Sequence, residues 1–405
     1  MPLSTFTISQ VRLVQLAAQG LLLPPAQPAA KTDVLAAIRR MGVLQIDTIS
    51  VVARSPFLVL FSRLGAYDPA WLEELLAEKA IFENWAHAAC FIPIEDFPLI
   101  RRTMLEEHHS SYFGNWAEKN RPTLDHVLNS VRQNGPMRSA DFASEKSPGG
   151  WWNWKSEKIA LEYWLMRGDL MVARRDKFQR VYELRERILP DWDDTRAPLA
   201  PEVQRAFVLK SVRAMGIARR QWVWDYYRLK KKLAAQIVDE LVAEGSLRQV
   251  AVGGWQEPAL FAPEDEPLLH RAAAGELAAS HTTLLSPFDP LTWDRERARQ
   301  LFGFDFTIQA YTPAAKRQYG YFPLPILHNG ALVGRMDAKA HRKEGIFEVK
   351  GLFLEETATP SAELANALAA AIRNCALWHK TPHVLLRQCA PGEFQPLLEQ
   401  ALGSD

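Results

Sequence analysis

Asp47 is the one acid in residues 39–54, RRMGVLQIDTISVVAR, and it ends an apolar run flanked by Arg39, Arg40 and Arg54. Gln45 lies two residues before it. In an extended segment that spacing turns both side chains to one face and Ile46 to the other. A carboxylate and an amide aimed together into a basic surface can hold a water molecule beside a developing positive charge. The same residues also fit a local role, in which Asp47 or Thr48 caps a helix and Gln45 satisfies a backbone group. Gln-x-Asp is short enough to recur by chance, so spacing alone leaves both readings open.

Other chemistry is missing from the chain. It has no HExxH, no GxxxxGK[ST], no GxSxG and no GxGxxG after a strand, and the deaminase pattern H-x-E…P-C-x-x-C is absent. The pair His108-His109 has no carboxylates or histidines at metal-ligand spacing around it, so neither a metal nor another cofactor is expected. Clustered carboxylates of the kind a metal-dependent nuclease needs are absent as well.

Composition sets the class. At 405 residues there is room for roughly two to four domains, each with its own core. A 48% hydrophobic and 23% charged chain is globular rather than disordered. Cys90, Cys375 and Cys389 are odd in number and far apart, which excludes a disulfide framework and a four-cysteine metal site and fits a reducing cytoplasm. The segment MPLSTFTISQVRLVQLAAQG lacks the long apolar core of a signal peptide, and no apolar run is long enough to span a membrane.

The elements that must position Gln45 and Asp47 show a weak repeat. Three times a helical pattern passes through a short break into an alternating, strand-like one: residues 71–93, 161–184 and 233–261. The last two carry upstream helices, RPTLDHVLNSVRQNGPMRSADF with a short second helix capped by Ser139, and PEVQRAFVLKSVRAMGIARRQWVWDYYRLK with a break at Gly216. Helix, helix, helix, hairpin is the winged-helix order, a helix-turn-helix variant whose third helix usually faces nucleic acid. Linkers fall near 188–201 and 262–280. Beyond residue 281, strand patterns joined by turns at His328-Asn329-Gly330 and Glu344-Gly345, then a helix over 360–380 and a strand over 383–389, predict an α+β domain with a small antiparallel sheet or partly closed barrel. The domain boundaries read 1–120, 121–190, 200–262 and 281–405.

Net charge is only +1, so clustering decides whether a polyanion is a partner. Lys210, Arg213, Arg219, Arg220, Arg228, Lys230, Lys231 and Lys232 share a stretch with a single acid, Asp225, and with Trp222, Trp224, Tyr226 and Tyr227. Arg174, Arg175, Lys177 and Arg180 fall at the tip of the second wing. Lys316 and Arg317 form a third patch, and Arg335, Lys339, His341, Arg342 and Lys343 a fourth. Any one of these could be a solvated face; four of them with three wing-like units favour phosphate contacts.

RRMGVLQIDTISVVARSPFLVLFSRLG, WAHAACFIP, LLSPFDPLTWDR, YTPAAKRQYGYFPLPIL and LVGRMDAKAHR together resemble the bacterial AlkZ/YcaQ-type alkylpurine DNA glycosylases, most of all the YcaQ branch, over nearly the whole chain. The resemblance implies an α+β fold of tandem winged-helix (helix-turn-helix) domains with a β-rich C-terminal domain, forming a C-shaped DNA clamp. It implies a cytoplasmic monomer that hydrolyses the N-glycosidic bond of N7-alkylated purines in double-stranded DNA and unhooks interstrand crosslinks. The family motif of Gln, an aliphatic residue and Gln or Asp falls on Gln45, Ile46 and Asp47. An N7-alkylated purine already carries a positive charge and leaves without a general acid, so Asp47 and Gln45 need only stabilise the sugar cation and deliver water. No lysine or amine nucleophile is required, and a monofunctional enzyme follows.

Around this pair the expected contacts are Trp85 and His87 on the first wing, with His87 meeting phosphate or substrate or else serving structure. Arg54 and Arg63 are expected at the flanking phosphates or in structural ion pairs. Lys316, Arg317 and Gln318 would clamp the duplex, as would Arg335 and Lys339, with Asp337 between them orienting an arginine. Ser286-Pro287-Phe288-Asp289-Pro290 reads as a rigid supporting turn, and Asp289 as a remote second acid. The competing reading is a non-catalytic winged-helix DNA-binding regulator in which Asp47 is a cap.

Overall fold

A computed structural model describes residues 5–106, 113, 115–142 and 156–403. They form two compact units, one of Met1–Asp68 with Phe207–Asp405 and one of Pro69–Ala206. Residues 1–120, read as one N-terminal domain, therefore contribute to both.

In the first unit a capping box starts the helix Ile8–Ala18: the Gln10 N–H donates to Thr7 Oγ1 and the Thr7 N–H to Gln10 Oε1. The helix Lys31–Met41 stops at Gly42, whose φ of 73° suits glycine and where a Cβ would run into the Tyr227 hydroxyl. The chain leaves through the short strand β1 (Leu44–Gln45) and re-enters helix at Ser55–Leu64, with Pro56 in its first turn. Further on, the helices Ala200–Met215, Arg220–Tyr226 and Lys231–Ala243 lead to the hairpin β7 (Arg248–Val250) and β8 (Ala259–Phe261), and Ala218 bridges to Leu260. Trp222, Tyr226 and Tyr227 of the basic stretch are core residues, whereas Lys230, Lys231 and Lys232 are exposed. Arg213 pairs with Glu264 and Arg220 with Asp239, so acids from outside the stretch balance part of its charge.

The C-terminal sheet is mixed rather than wholly antiparallel. Strands β9 (Thr282–Leu284), β10 (Leu324–His328), β11 (Ala331–His341) and β12 (Ile346–Leu354) are antiparallel neighbours, while β13 (His383–Leu386) and β14 (Cys389–Ala390) join β12 in parallel. The parallel pairing follows from the intervening helix Ala362–Trp378, a crossover that returns the chain in the same direction. Register shifts at Ile326/Leu327 and Asp337/Ala338 bend the sheet into a curled half-barrel. Asn329 and Gly330, with φ of 46° and 81°, make the expected tight turn between β10 and β11. Leu16, Leu21, Leu285, Leu291, Phe304, Phe306, Leu327 and Leu332 form one core cluster, so the first helix packs into the C-terminal domain.

In the second unit the helix Ala70–Ala77 leads to the hairpin β2 (Ile81–Trp85) and β3 (Ala89–Pro93). The helix Arg121–Asn134, β4 (Met137–Arg138), the helix Ser156–Arg167, β5 (Leu170–Asp176) and β6 (Gln179–Leu184) follow, in the sheet order β4-β6-β5. Ser139 begins a single 3₁₀ turn ending at Asp141, and the cap is Asp141, whose carboxylate accepts from the Arg138 N–H at 2.8 Å. The pair His108-His109 and residues 143–155 lie outside the described residues.

The expected cationic wing tip is corrected here. Arg175 is buried, makes two hydrogen bonds to Glu83 at 2.5 and 2.7 Å and donates to the Phe178 carbonyl at 2.6 Å. Arg180 bridges Glu83 and Glu162. Lys177 and Phe178 take positive φ without glycine, with the Phe178 ring 4.2 Å from the Arg175 guanidinium. Arg174 and Lys177 alone remain exposed for an outside anion.

Candidate active site

The segment that carries Gln45 and Asp47 runs from Gly42 to Arg54, and both of its ends are fixed. At the first, the Tyr226 hydroxyl donates to the Met41 carbonyl at 2.8 Å, and Val43 and Leu44 are wholly buried. At the second, Arg54 is the N-cap of the helix Ser55–Leu64 and supplies no side-chain cap bond. Ser55 Oγ and Ser286 Oγ lie 2.6 Å apart, and the Phe288 N–H donates to Ser286 Oγ at 3.1 Å. The Ser286–Pro290 turn is thus bolted to the start of that helix.

A second bolt lies one helix length away. Arg63 Nη1 and Nη2 meet Asp289 Oδ2 and Oδ1 at 2.6 and 3.0 Å, with both side chains out of solvent. The same guanidinium donates to the carbonyls of Gln19 and Val59, each at 2.9 Å, and the Leu291 N–H donates to Asp289 Oδ1. Every face of Arg63 is engaged inside the protein. The expected phosphate contact gives way to a structural ion pair, and Asp289 is its partner rather than a second acid.

Between these anchors Asp47 is half-buried. Its Oδ1 accepts from the Ile49 N–H at 2.7 Å, an Asx turn two residues on. The local reading therefore holds for the hydrogen bond but not for the helix cap, since residues 46–50 are not helical. Among the described residues Ile49 is the only donor to this carboxylate, which leaves Oδ2 to solvent or ligand. Partial burial raises the Asp47 pKa above its ordinary value, and the Ile49 bond opposes this without cancelling it. Gln45, also half-buried, ends β1 two residues away.

The far side of the loop is held by β11. The Ala340 N–H donates to the Val51 carbonyl at 3.0 Å, and Arg342 Nη2 donates to the Val52 carbonyl. Arg342 also approaches His379 Nδ1 at 3.5 Å; burial lowers the His379 pKa to about 4, so the ring is neutral at neutral pH and Nδ1 accepts in its Nε2-protonated tautomer. Arg342 was legible only as one cation in a patch. Its turn back onto a carbonyl of the Asp47 loop has no sequence signal.

The remaining expected contacts divide by exposure. Lys339 is exposed on β11, one residue before the Val51 contact. Arg335, expected at the duplex, is buried: its guanidinium lies between the Phe304 and Tyr319 rings, 4.5 and 4.3 Å from their centroids, and pairs with Glu355. Lys316 and Gln318 are exposed, and Arg317 sits 4.9 Å over Tyr321 and donates to the Thr312 carbonyl. Asp337 is buried against the backbone of Gly320–Phe322, with its Oδ1 unpaired among the described residues, rather than orienting an arginine. In the second unit Trp85 closes β2 with 43% of its surface exposed, and His87 in the following turn is 8% exposed.

A half-buried carboxylate with one oxygen fixed by a backbone N–H, on a loop tied at four points, is a preorganised electrostatic element. The family model for AlkZ-like DNA glycosylases matches residues 38–378, a span that contains the loop, its β11 tethers and the Arg63–Asp289 pair. The chain belongs to the AlkZ-like DNA glycosylase family. Members are hydrolases of N-glycosyl bonds. The fold agrees: the DNA glycosylase AlkZ of Streptomyces sahachiroi is 15% identical over 95% of this chain and 99% of its own, with a TM-score of 0.59. No described helix of this AlkZ-like chain is long and apolar enough to cross a membrane.

Proposed function

We propose that the protein releases N7-alkylated purines from double-stranded DNA by hydrolysis and unhooks crosslinks of the same chemistry, with Asp47 as the catalytic carboxylate. One observation carries this: Asp47 is pinned through Oδ1, half-desolvated, and open at Oδ2. The cationic purine leaves without protonation, and positive charge grows on the deoxyribose ring as the C1′–N9 bond lengthens. A fixed, poorly solvated carboxylate stabilises that charge more than water would. Oδ2 takes a proton from the attacking water, and the Gln45 amide holds the water in line. The products are free base and an abasic site, with the strand intact and no metal in the step.

The helix, helix, helix, hairpin order over residues 200–261 supports winged-helix units as the DNA-binding scaffold, and Arg54, Lys316, Arg317, Gln318, Lys339, Trp85 and His87 are the proposed contacts. The test is base release from a duplex containing N7-methylguanine, and from a nitrogen-mustard crosslink, in chelator. Wild type yields alkali-labile abasic sites. Asp47→Asn loses roughly 10²–10³ in rate and Gln45→Ala less, because an amide that only orients water contributes less than a charge at the reacting centre. Equal release by wild type and Asp47→Asn sinks the assignment. Binding without release by either supports the regulator instead.

A further inference from the structure

Between the helix Arg295–Phe302 and β10 the chain runs from Gly303 to Pro323 with a single 3₁₀ turn, Ala314–Lys316, as its only regular element. So long an irregular stretch in a packed domain is usually functional. Its two ends are core: Phe304 and Phe306 stack on one side and Phe322 is buried on the other. The middle closes on itself. Gln309 Oε1 accepts from the N–H groups of Gln318 and Tyr319 at 2.8 and 2.9 Å, the Thr312 N–H returns to the Gln309 carbonyl at 3.0 Å, and Arg317 Nε donates to the Thr312 carbonyl at 2.8 Å. Residues 309–319 are therefore an Ω-loop with a fastened neck.

The neck is tied down to β11. The backbone at Gly320 packs so close to the Asp337 carboxylate that a Cβ there would overlap it, and Tyr319 covers the Arg335 guanidinium. Asp337 stands three residues before Ala340, which holds Val51 of the Asp47 loop, a separation of about 10 Å along an extended strand. One strand thus carries the Ω-loop and the catalytic segment.

In the Gln309–Thr312 turn of this loop stands Tyr311, 81% exposed, the most exposed large hydrophobic side chain among the described residues. It is followed by Pro313 and the exposed Lys316. An aromatic ring displayed in water on a preformed loop that also carries an exposed cation is a stacking surface for a nucleobase with a phosphate contact on the same loop. We propose that Tyr311 stacks on, or wedges between, the bases next to the damaged nucleotide and so stabilises the opened duplex. This deepens the reading of the protein as a glycosylase of duplex DNA and rests on it. Opening a stack exposes base faces to water, and an inserted ring covers them again.

The test compares Tyr311→Ala and Tyr311→Phe with wild type on an N7-methylguanine lesion in duplex and in single-stranded DNA. Tyr311→Ala loses about 10–100-fold in kcat/KM on the duplex, the range for loss of one base–aromatic stack. On single strands it stays within about twofold of wild type, and Tyr311→Phe behaves as wild type on both. Equal losses on both substrates, no loss on the duplex, or a Tyr311→Phe defect as large as that of alanine each overturn the proposal. A second readout uses 2-aminopurine beside the lesion on Asp47→Asn, where binding proceeds without catalysis. Stacking by Tyr311 changes its fluorescence, and that change vanishes in Asp47→Asn/Tyr311→Ala. If wild type releases no base while the fluorescence change persists, the catalytic reading fails and the stacking role stands.

Discussion

Asp47 shows how one contact sets both reactivity and stability. Its folded-state pKa lies above the unfolded value because burial disfavours the ionised form. The native state therefore binds the proton more tightly than the unfolded chain. Ionised Asp47 thus counts against stability above its raised pKa, and the deficit fades as pH falls through that pKa and is gone below the unfolded value. The proposed hydrolysis needs the ionised form, so the acid limb of the rate profile is expected to lie higher than that of an ordinary aspartate near 3.9. Asp47→Asn keeps an oxygen for the Ile49 N–H and removes the charge. It is expected to melt on the order of 1 °C above wild type at pH 7, with a gap that narrows toward acid. A lower melting temperature at pH 7, or a gap that widens in acid, contradicts this account. Chain order alone could display Gln45 and Asp47; it could not display the Asx turn, which depends on how far Ile49 folds back.

At the scale of elements, the loop that carries Gln45 and Asp47 is a span between two helices and a strand edge, and its attachments were less legible than its residues. The Asn329-Gly330 turn and the three helices that precede the β7–β8 hairpin could be read because turn chemistry and periodicity are local. The partners of Arg63 and Arg335 could not, because an arginine looks the same in the sequence whether it faces solvent or a buried acid. Two substitutions separate these roles. Asp289→Asn leaves Arg63 buried with one charge unanswered, and unfolding by urea should show a loss of about 3–5 kcal/mol. A loss below about 1 kcal/mol would mean that the pair is not what holds the helix Ser55–Leu64. Arg342→Ala frees the Val52 carbonyl and should lower kcat by about tenfold while the DNA dissociation constant stays within about twofold. The opposite split, weaker binding at full kcat, would make Arg342 a phosphate contact.

For the whole molecule, a net charge of +1 means that affinity for DNA comes from placement of cations rather than their number. Each exposed lysine that meets a phosphate adds about one to the slope of log Kd against log salt. Lys316→Ala and Lys339→Ala should each lower that slope by about one with little change in melting temperature. Arg335→Ala should do the reverse, since its guanidinium is enclosed by Phe304, Tyr319 and Glu355. An unchanged slope in both lysine variants would remove β11 and the Ω-loop from the DNA surface. The unit that holds Asp47 is built from two stretches of chain with Pro69–Ala206 between them. During synthesis this separation becomes time. Asp289 follows Arg63 by 226 residues, roughly 10–45 s at about 5–20 residues per second. Through that interval the emerging protein already displays Gln45 and Asp47, yet Ser286, Asp289, Ala340 and Arg342, which give their loop its shape, have still to be made. The enzyme is assembled with its proposed catalytic carboxylate set last, so a nascent or prematurely ended chain carries the motif without the geometry proposed to make it act.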